Sequence, residues 1–295
     1  MDRRQFTKLA LLGGALTPLL SACQALVKPA GSVEIAKQPA LTKAEADAVS
    51  QKAHLAFMGV KEEGFKMMAD EHVAMLLYPG FTALDLVGPH YLFSSMMGAK
   101  VYLVTTGDDL TPIKCGEGIT FVPTHTAKQL PKALDVFFVP GGANGTLEAM
   151  KNPAIIALIA QQAAVAKYVT SVCTGSLLLG KAGLLQGKKA TSHWLTLGLL
   201  PEFGAIATKQ RVVWDGNLVT GGGVTAGIDF GLEIVAALRG KLYAEALQLQ
   251  GEYDPAPPFD AGSPEKAPAF VKDNLQGMFT PLVEGFRQAI LSGRS

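Results

Sequence analysis

The sequence predicts an α/β fold with a doubly wound, mainly parallel sheet, and three observations carry that prediction. From residue 72 onward, short apolar runs of strand length alternate with helical patterns, the order that builds a parallel sheet covered on both faces. Two of these runs, DVFFV and YVTSV, stop at small residues, PGG and CTGS, that turn the chain sharply. The 295 residues are 48% hydrophobic and 17% charged, enough for one sizeable core and unlike the composition of disorder.

In chain order, residues 1–23 read MDRRQFTKLALLGGALTPLLSAC. Their apolar run is shorter than the roughly 20 residues a bilayer span needs, so a cleavable signal fits better than a permanent membrane helix. Arg3-Arg4 resembles a twin-arginine translocation signal, and Leu-Ser-Ala-Cys at 20–23 resembles a lipobox in which Cys23 is acylated. The expectation is export to the periplasm with a lipid anchor, Gln24 after Cys23 pointing to the outer membrane; the alternative is a cytoplasmic protein with an apolar start. Residues 24–70 are expected to be a tether with a short helix over 42–56.

HVAMLLY (72–78) reads as a buried strand, 84–97 as a helix with Gly88-Pro89 in its early turn, 100–105 as a second strand and 119–123 as a hairpin arm. The strand at 135–139 is stopped by Pro140-Gly141-Gly142, an Ala-rich helix covers 153–167, and 168–172 is the next strand. RVVWDGNLVT (211–220) puts Asp215-Gly216 between β runs and predicts a type I′ hairpin. Helices over 225–238 and 242–250 follow, YDPAPPF (253–259) runs extended because each proline fixes its own φ, and an amphipathic helix covers 269–291. One folded domain is expected over 71–268, with the last helix in 269–295.

Lys plus Arg total 26 against 25 Asp plus Glu, with no basic cluster interleaved with aromatics, which argues against a nucleic-acid partner. Three cysteines, Cys23, Cys115 and Cys173, are too few for a disulfide scaffold or a Cys-rich zinc site. Ligands of open α/β sheets bind at the carboxyl ends of strands, so the strand-to-helix turns are the suspects. Cys173 stands at one. Strand, Cys, Thr, Gly, Ser, helix resembles a nucleophile elbow, and a thiol at a helix N-terminus is expected to have a lowered pKa. A buried, inert thiol is the competing reading.

The Thr174 N–H, and Gly141 and Gly142 after the preceding strand, are nominated as donors for developing charge, the glycines equally well serving turn geometry alone. Asp85 follows the first strand and either caps a helix or reaches the same sheet edge. His193, in TSHW, could return to the thiol or be structural. Cys115, in KCGEG, is read as incidental.

DLVGPH (85–90), VPGG (139–142), YVTSVCTGS (168–176), GGGVTAGIDF (221–230) and YDPAPPFDAGSP (253–264) together resemble the ThiJ/PfpI superfamily of flavodoxin-like (class I glutamine amidotransferase-like) cysteine proteins, and within it the isonitrile hydratase branch. The resemblance spans residues 72–268. It implies addition of water to a small-molecule isonitrile to give an N-substituted formamide, without metal or organic cofactor, and a homodimer. By position it implies Cys173 as nucleophile, Asp85 as acid/base and Thr174 as a hydrogen-bonding neighbour. Peptidase-like members resemble one another in having His after the cysteine, where this chain has Thr174, and glyoxalase and redox-sensor branches in having Glu where it has Asp85. Another superfamily activity on dicarbonyls is the enzyme rival; a periplasmic binding or oxidation-sensing protein is the non-enzyme one. The branch with a helix-turn-helix domain is set aside, since the residues after 250 are too few to form it.

Overall fold

The computed structural model describes residues 40–292. The chain divides into two units, Met1–Ala53 and His54–Ser295. The described part of the first is the beginning of helix α1 (Lys43–Met58), where the Glu45 carboxylate accepts the Thr42 N–H at 2.9 Å and no residue is buried. The expected signal and lipobox, with Cys23, fall outside the described residues.

The second unit runs β1 (His72–Leu76), α2 (Ala83–Ser94), β2 (Lys100–Thr105), a hairpin of β3 (Ile113–Lys114) and β4 (Thr120–Phe121), then β5 (His125–Thr126) and β6 (Leu134–Val139). It continues through α3 (Asn144–Met150), α4 (Pro153–Ala163), β7 (Ala166–Val172), α5 (Gly175–Lys181), β8 (Lys189–Ala190), a 3-10 helix (Leu197–Phe203) and β9 (Ile206–Ala207). The hairpin of β10 (Val212–Asp215) and β11 (Leu218–Gly221) precedes α6 (Ala226–Arg239), α7 (Lys241–Gln250) and α8 (Ala269–Leu291).

Seven strands form one sheet in the order β10-β11-β7-β6-β1-β2-β5, parallel except for the β10–β11 pair. Strands covered on both faces must be apolar throughout, which is why Val73, Ala74, Met75, Leu76, Val136, Phe137, Phe138 and Val139 are all fully buried. From β1 the chain crosses through α2 to β2 on one side; from β6 it crosses through α4 to β7 on the other. With crossovers of one hand, opposite directions put the two helices on opposite faces, and the order reverses between β1 and β6. A crevice opens outside the carboxyl ends of these neighbours, where a doubly wound sheet binds its ligand.

Several elements differ from the expectation. The Ala-rich helix ends at Ala163, because Ala166 already pairs with Leu134 in the sheet. The Asp215–Leu218 turn has Gly216 at φ 65° while Asn217 is not among the positive-φ residues, so it is the II′ form rather than I′. Helix α3 has only seven residues and no periodicity to reveal it. Residues 67–71, assigned to the tether except for the last, dock instead on α6. The fully buried Arg239 donates to the Met67 and Ala69 carbonyls at 3.1 and 3.3 Å and to both Glu71 carboxylate oxygens at 2.9 and 2.5 Å.

Candidate active site

Three connections meet at the crevice. After β1, residues 77–82 carry Tyr78 and the Gly80 turn into α2. After β6 comes Pro140-Gly141-Gly142, and after β7 comes Cys173. The elbow forms because Cys173 adopts φ 59°, the left-handed region that a β-carbon disfavours, and because Gly175 packs directly on the β6 end, where a Cβ would collide with the Val139 carbonyl and lie 2.8 Å from the Pro140 oxygen. The Cys173 N–H donates to the Gly222 carbonyl at 2.7 Å, tying the turn to the end of β11. Cys173 is 5% exposed and Asp85 fully buried.

Asp85 is not a helix cap. Thr82 holds that position, and the Asp85 side chain turns inward, where Oδ2 accepts the Gly141 N–H at 2.9 Å. Its Oδ1 has no partner of ordinary hydrogen-bond geometry, and the Cys173 thiol is the group beside the carboxyl. Burial pushes the carboxyl up to about 7; the Gly141 N–H and the Cys173 thiol oppose that rise, while the Glu117 charge adds to it. The thiol moves opposite to the sequence expectation. Burial, then the Asp85 charge, push Cys173 well above the ordinary thiol value, outweighing the Thr174 N–H at the helix start. The site therefore retains a proton between a carboxyl and a thiol, and behaves as one coupled acid.

The nominated glycines are in the site, but their N–H groups are occupied. Gly141 donates to Asp85, and Gly142 donates to Thr174 Oγ1 at 3.0 Å, so they position the two side chains rather than offering free oxyanion donors. A Cβ at Gly141 would lie 2.6 Å from the Thr174 nitrogen and 2.7 Å from both Asp85 Oδ2 and Thr174 Oγ1, which shows how tightly these groups converge. The Thr174 N–H faces the thiol. His193 is placed elsewhere: its Nδ1 accepts the Leu195 N–H at 3.4 Å, and it lines an open groove of about 1340 Å³ whose walls include neither Cys173 nor Asp85. The loop does return to the elbow, through Ser192, whose hydroxyl donates to the Cys173 carbonyl at 3.2 Å.

Other neighbours were not legible beforehand. Glu117, at the tip of the β3–β4 hairpin, accepts the Ala83 N–H at 3.0 Å and brings a second carboxylate near Asp85. Cys115, buried, stands beside Glu117 and, against the effect of burial and with the Ala83 N–H, helps hold that carboxyl below the usual value. Tyr78 and Thr146 stand behind Thr174, with Thr146 Oγ1 2.8 Å from Thr174 Oγ1 and 3.0 Å from the Tyr78 hydroxyl. Among the described residues no cluster of three or more His, Cys, Asp or Glu side chains is arranged to hold a metal.

A cysteine on left-handed backbone after a central parallel strand, facing a carboxyl across the switch point, defines a flavodoxin-like cysteine protein. The chain belongs to the DJ-1/PfpI family, whose model matches residues 71–237. It is 50% identical over 209 residues to a Pseudomonas putida protein named isonitrile hydratase, covering 71% of this chain and 90% of that one. The crystal structure of a THiJ/PfpI family protein from Pseudomonas syringae superposes with a TM-score of 0.75 at 49% identity, over 79% of this chain and 96% of its own. Drosophila melanogaster DJ-1beta, at 22% identity, TM-score 0.56, and 64% and 100% coverage, shares the fold.

Proposed function

We propose that this chain hydrates isonitriles, with Cys173 as nucleophile, Asp85 as proton carrier and Thr174 as the hydrogen-bonding neighbour. The observation that carries the reading is the pairing of Asp85 and Cys173 around retained acidic protons, together with half-identity to a relative of that name along nine-tenths of its length. An isonitrile carbon must receive both a proton and a nucleophile. In the first step the sulfur bonds to that carbon while the thiol proton, passed through Asp85, is delivered to the same atom, giving the thioimidate R–N=CH–S–Cys. Water then bonds to the carbon and protonates the nitrogen; the C–S bond breaks, sulfur takes the hydroxyl proton through Asp85, and R–NH–CHO leaves.

The test incubates the protein with cyclohexyl isocyanide and follows formamide by mass spectrometry beside Cys173→Ala and Asp85→Asn. Formamide from wild type alone is the expected result. None from wild type, or equal amounts from all three, overturns the reading, and acid formed from methylglyoxal in the same panel would support the dicarbonyl rival. Two further proposals concern the molecule's setting. Export and acylation at Cys23 are checked by fractionation with labelled palmitate, and the homodimer by sedimentation of the purified chain; a cytosolic unlabelled protein or a monomer would reverse them.

A further inference from the structure

Behind Thr174 runs a buried line of hydrogen bonds whose two ends have fixed roles. At one end the Gly142 N–H can only donate, and it does so to Thr174 Oγ1 at 3.0 Å. At the other the Pro140 carbonyl can only accept, and the Tyr78 hydroxyl donates to it at 2.8 Å. Between them Thr174 Oγ1 and Thr146 Oγ1 are 2.8 Å apart, and Thr146 Oγ1 and the Tyr78 hydroxyl 3.0 Å. Tyr78, Thr146 and Thr174 are all buried, so water does not substitute for a missing link.

Each hydroxyl has one proton. Tyr78 spends its proton on Pro140, so its oxygen accepts from Thr146; Thr146 in turn accepts from Thr174. The direction is thereby set along the whole line, and the Thr174 proton points away from the thiol. Its oxygen has accepted the Gly142 N–H and stands beside Cys173; a Thr174 proton donated there would lower the thiol's pKa, but the line commits that proton to Thr146. Thr174 therefore meets the reacting atoms as an acceptor. Burial also keeps the Tyr78 phenol protonated, holding it well above the ordinary tyrosine value against the opposing Thr146 bond.

We propose that Tyr78 and Thr146 are positioning residues that fix the polarity of the Thr174 hydroxyl, making Thr174 the acceptor that orients the water attacking the thioimidate. This assignment of the water step rests on the hydratase reading; the polarity itself does not. Water donates one hydrogen bond to Thr174 Oγ1, its oxygen bonds to the thioimidate carbon, and the other proton goes to nitrogen. In Tyr78→Phe the acceptor for Thr146 is gone, both threonines can reverse, and Thr174 turns its proton into the site. Thr146→Val frees the Thr174 proton directly.

Two measurements test this. In the resting protein, NMR should show a slowly exchanging Thr174 hydroxyl proton with a nuclear Overhauser contact to Thr146; a contact to the Cys173 β-protons instead overturns the polarity whatever the substrate is. With cyclohexyl isocyanide, Tyr78→Phe and Thr146→Val should lose roughly 10-fold or more in kcat, as expected for misplacing one reactant, while the fraction of chain carrying one isonitrile mass on Cys173 rises. Thr146→Ser, which keeps the hydroxyl, should behave as wild type. Loss of kcat without the adduct, or unchanged kcat, in correctly folded Tyr78→Phe and Thr146→Val overturns the role in the water step. Absence of formamide from wild type defeats the hydratase reading instead, leaving the NMR result to decide the polarity.

Discussion

Asp85 and Cys173 are coupled, and under the proposed mechanism the proton count of the pair should set the rate. The bond-forming step needs a nucleophilic sulfur and a proton to hand over, which is the pair holding a single proton. At low pH both groups are protonated and sulfur has no base; the first proton leaves near 7, the value to which burial pushes Asp85. The prediction is that kcat/KM rises with pH through about 7 and falls only when the last proton is lost at much higher pH, read from a pH–rate profile. Asp85→Asn should lose about 10²–10⁴-fold in kcat/KM and with it the rise near 7. Cys173 and Asp85 were legible in the sequence because both follow apolar strands at small-residue turns. The direction of the thiol shift was not, since it depends on burial and on a carboxylate from another strand's loop. Nor was the Thr174 hydroxyl, whose partner Thr146 stands 28 residues away.

The elements meet at the crevice with little spare room, and glycines set the distance. Gly141→Ala puts a methyl 2.6 Å from the Thr174 nitrogen and 2.7 Å from the Asp85 carboxylate, so it should lose about 10²-fold in kcat through misplacement and also about 1–3 kcal/mol of stability, read from kinetics and a denaturant titration of the same variant. Gly175→Ala instead forces the elbow off the end of β6 and should cost about 3 kcal/mol of stability by denaturant titration. The strands and long helices were readable because their apolar patterns are buried on one face or two. The elements that escaped notice were short: α3, β5, β8 and β9 are fixed by tertiary neighbours rather than by their own periodicity. His193 illustrates the same limit. Sequence distance brought its loop back to the elbow, but only packing decides that Ser192, one residue earlier, makes the contact.

At the scale of the whole molecule, a buried carboxyl that titrates near 7 is a cost to folding. The unfolded chain releases that proton near the ordinary aspartate value, the folded chain retains it, and between the two the unfolded state binds fewer protons. Stability from this group is thus greatest in acid and declines as pH rises toward 7. Asp85→Asn, which does not titrate, should be more stable than wild type by a few kcal/mol at pH 8 and by less at pH 4, measured by urea unfolding at both. Arg239 exerts the opposite kind of control. Removing it as Arg239→Ala leaves Glu71 buried and unpaired and should cost about 3–5 kcal/mol, much of it recovered in the apolar pair Glu71→Leu/Arg239→Met.

Arg239 also separates two kinds of boundary. The family model's match begins at residue 71, but the guanidinium reaches upstream for the Met67 and Ala69 carbonyls. A chain trimmed to the edge of likeness would lose two acceptors for a cation sealed from water. Just upstream, the Lys66 N–H donates to the Arg239 carbonyl and Phe65 packs on Tyr243, so shortened forms need to begin before Phe65 to keep this buried cation and its surroundings intact.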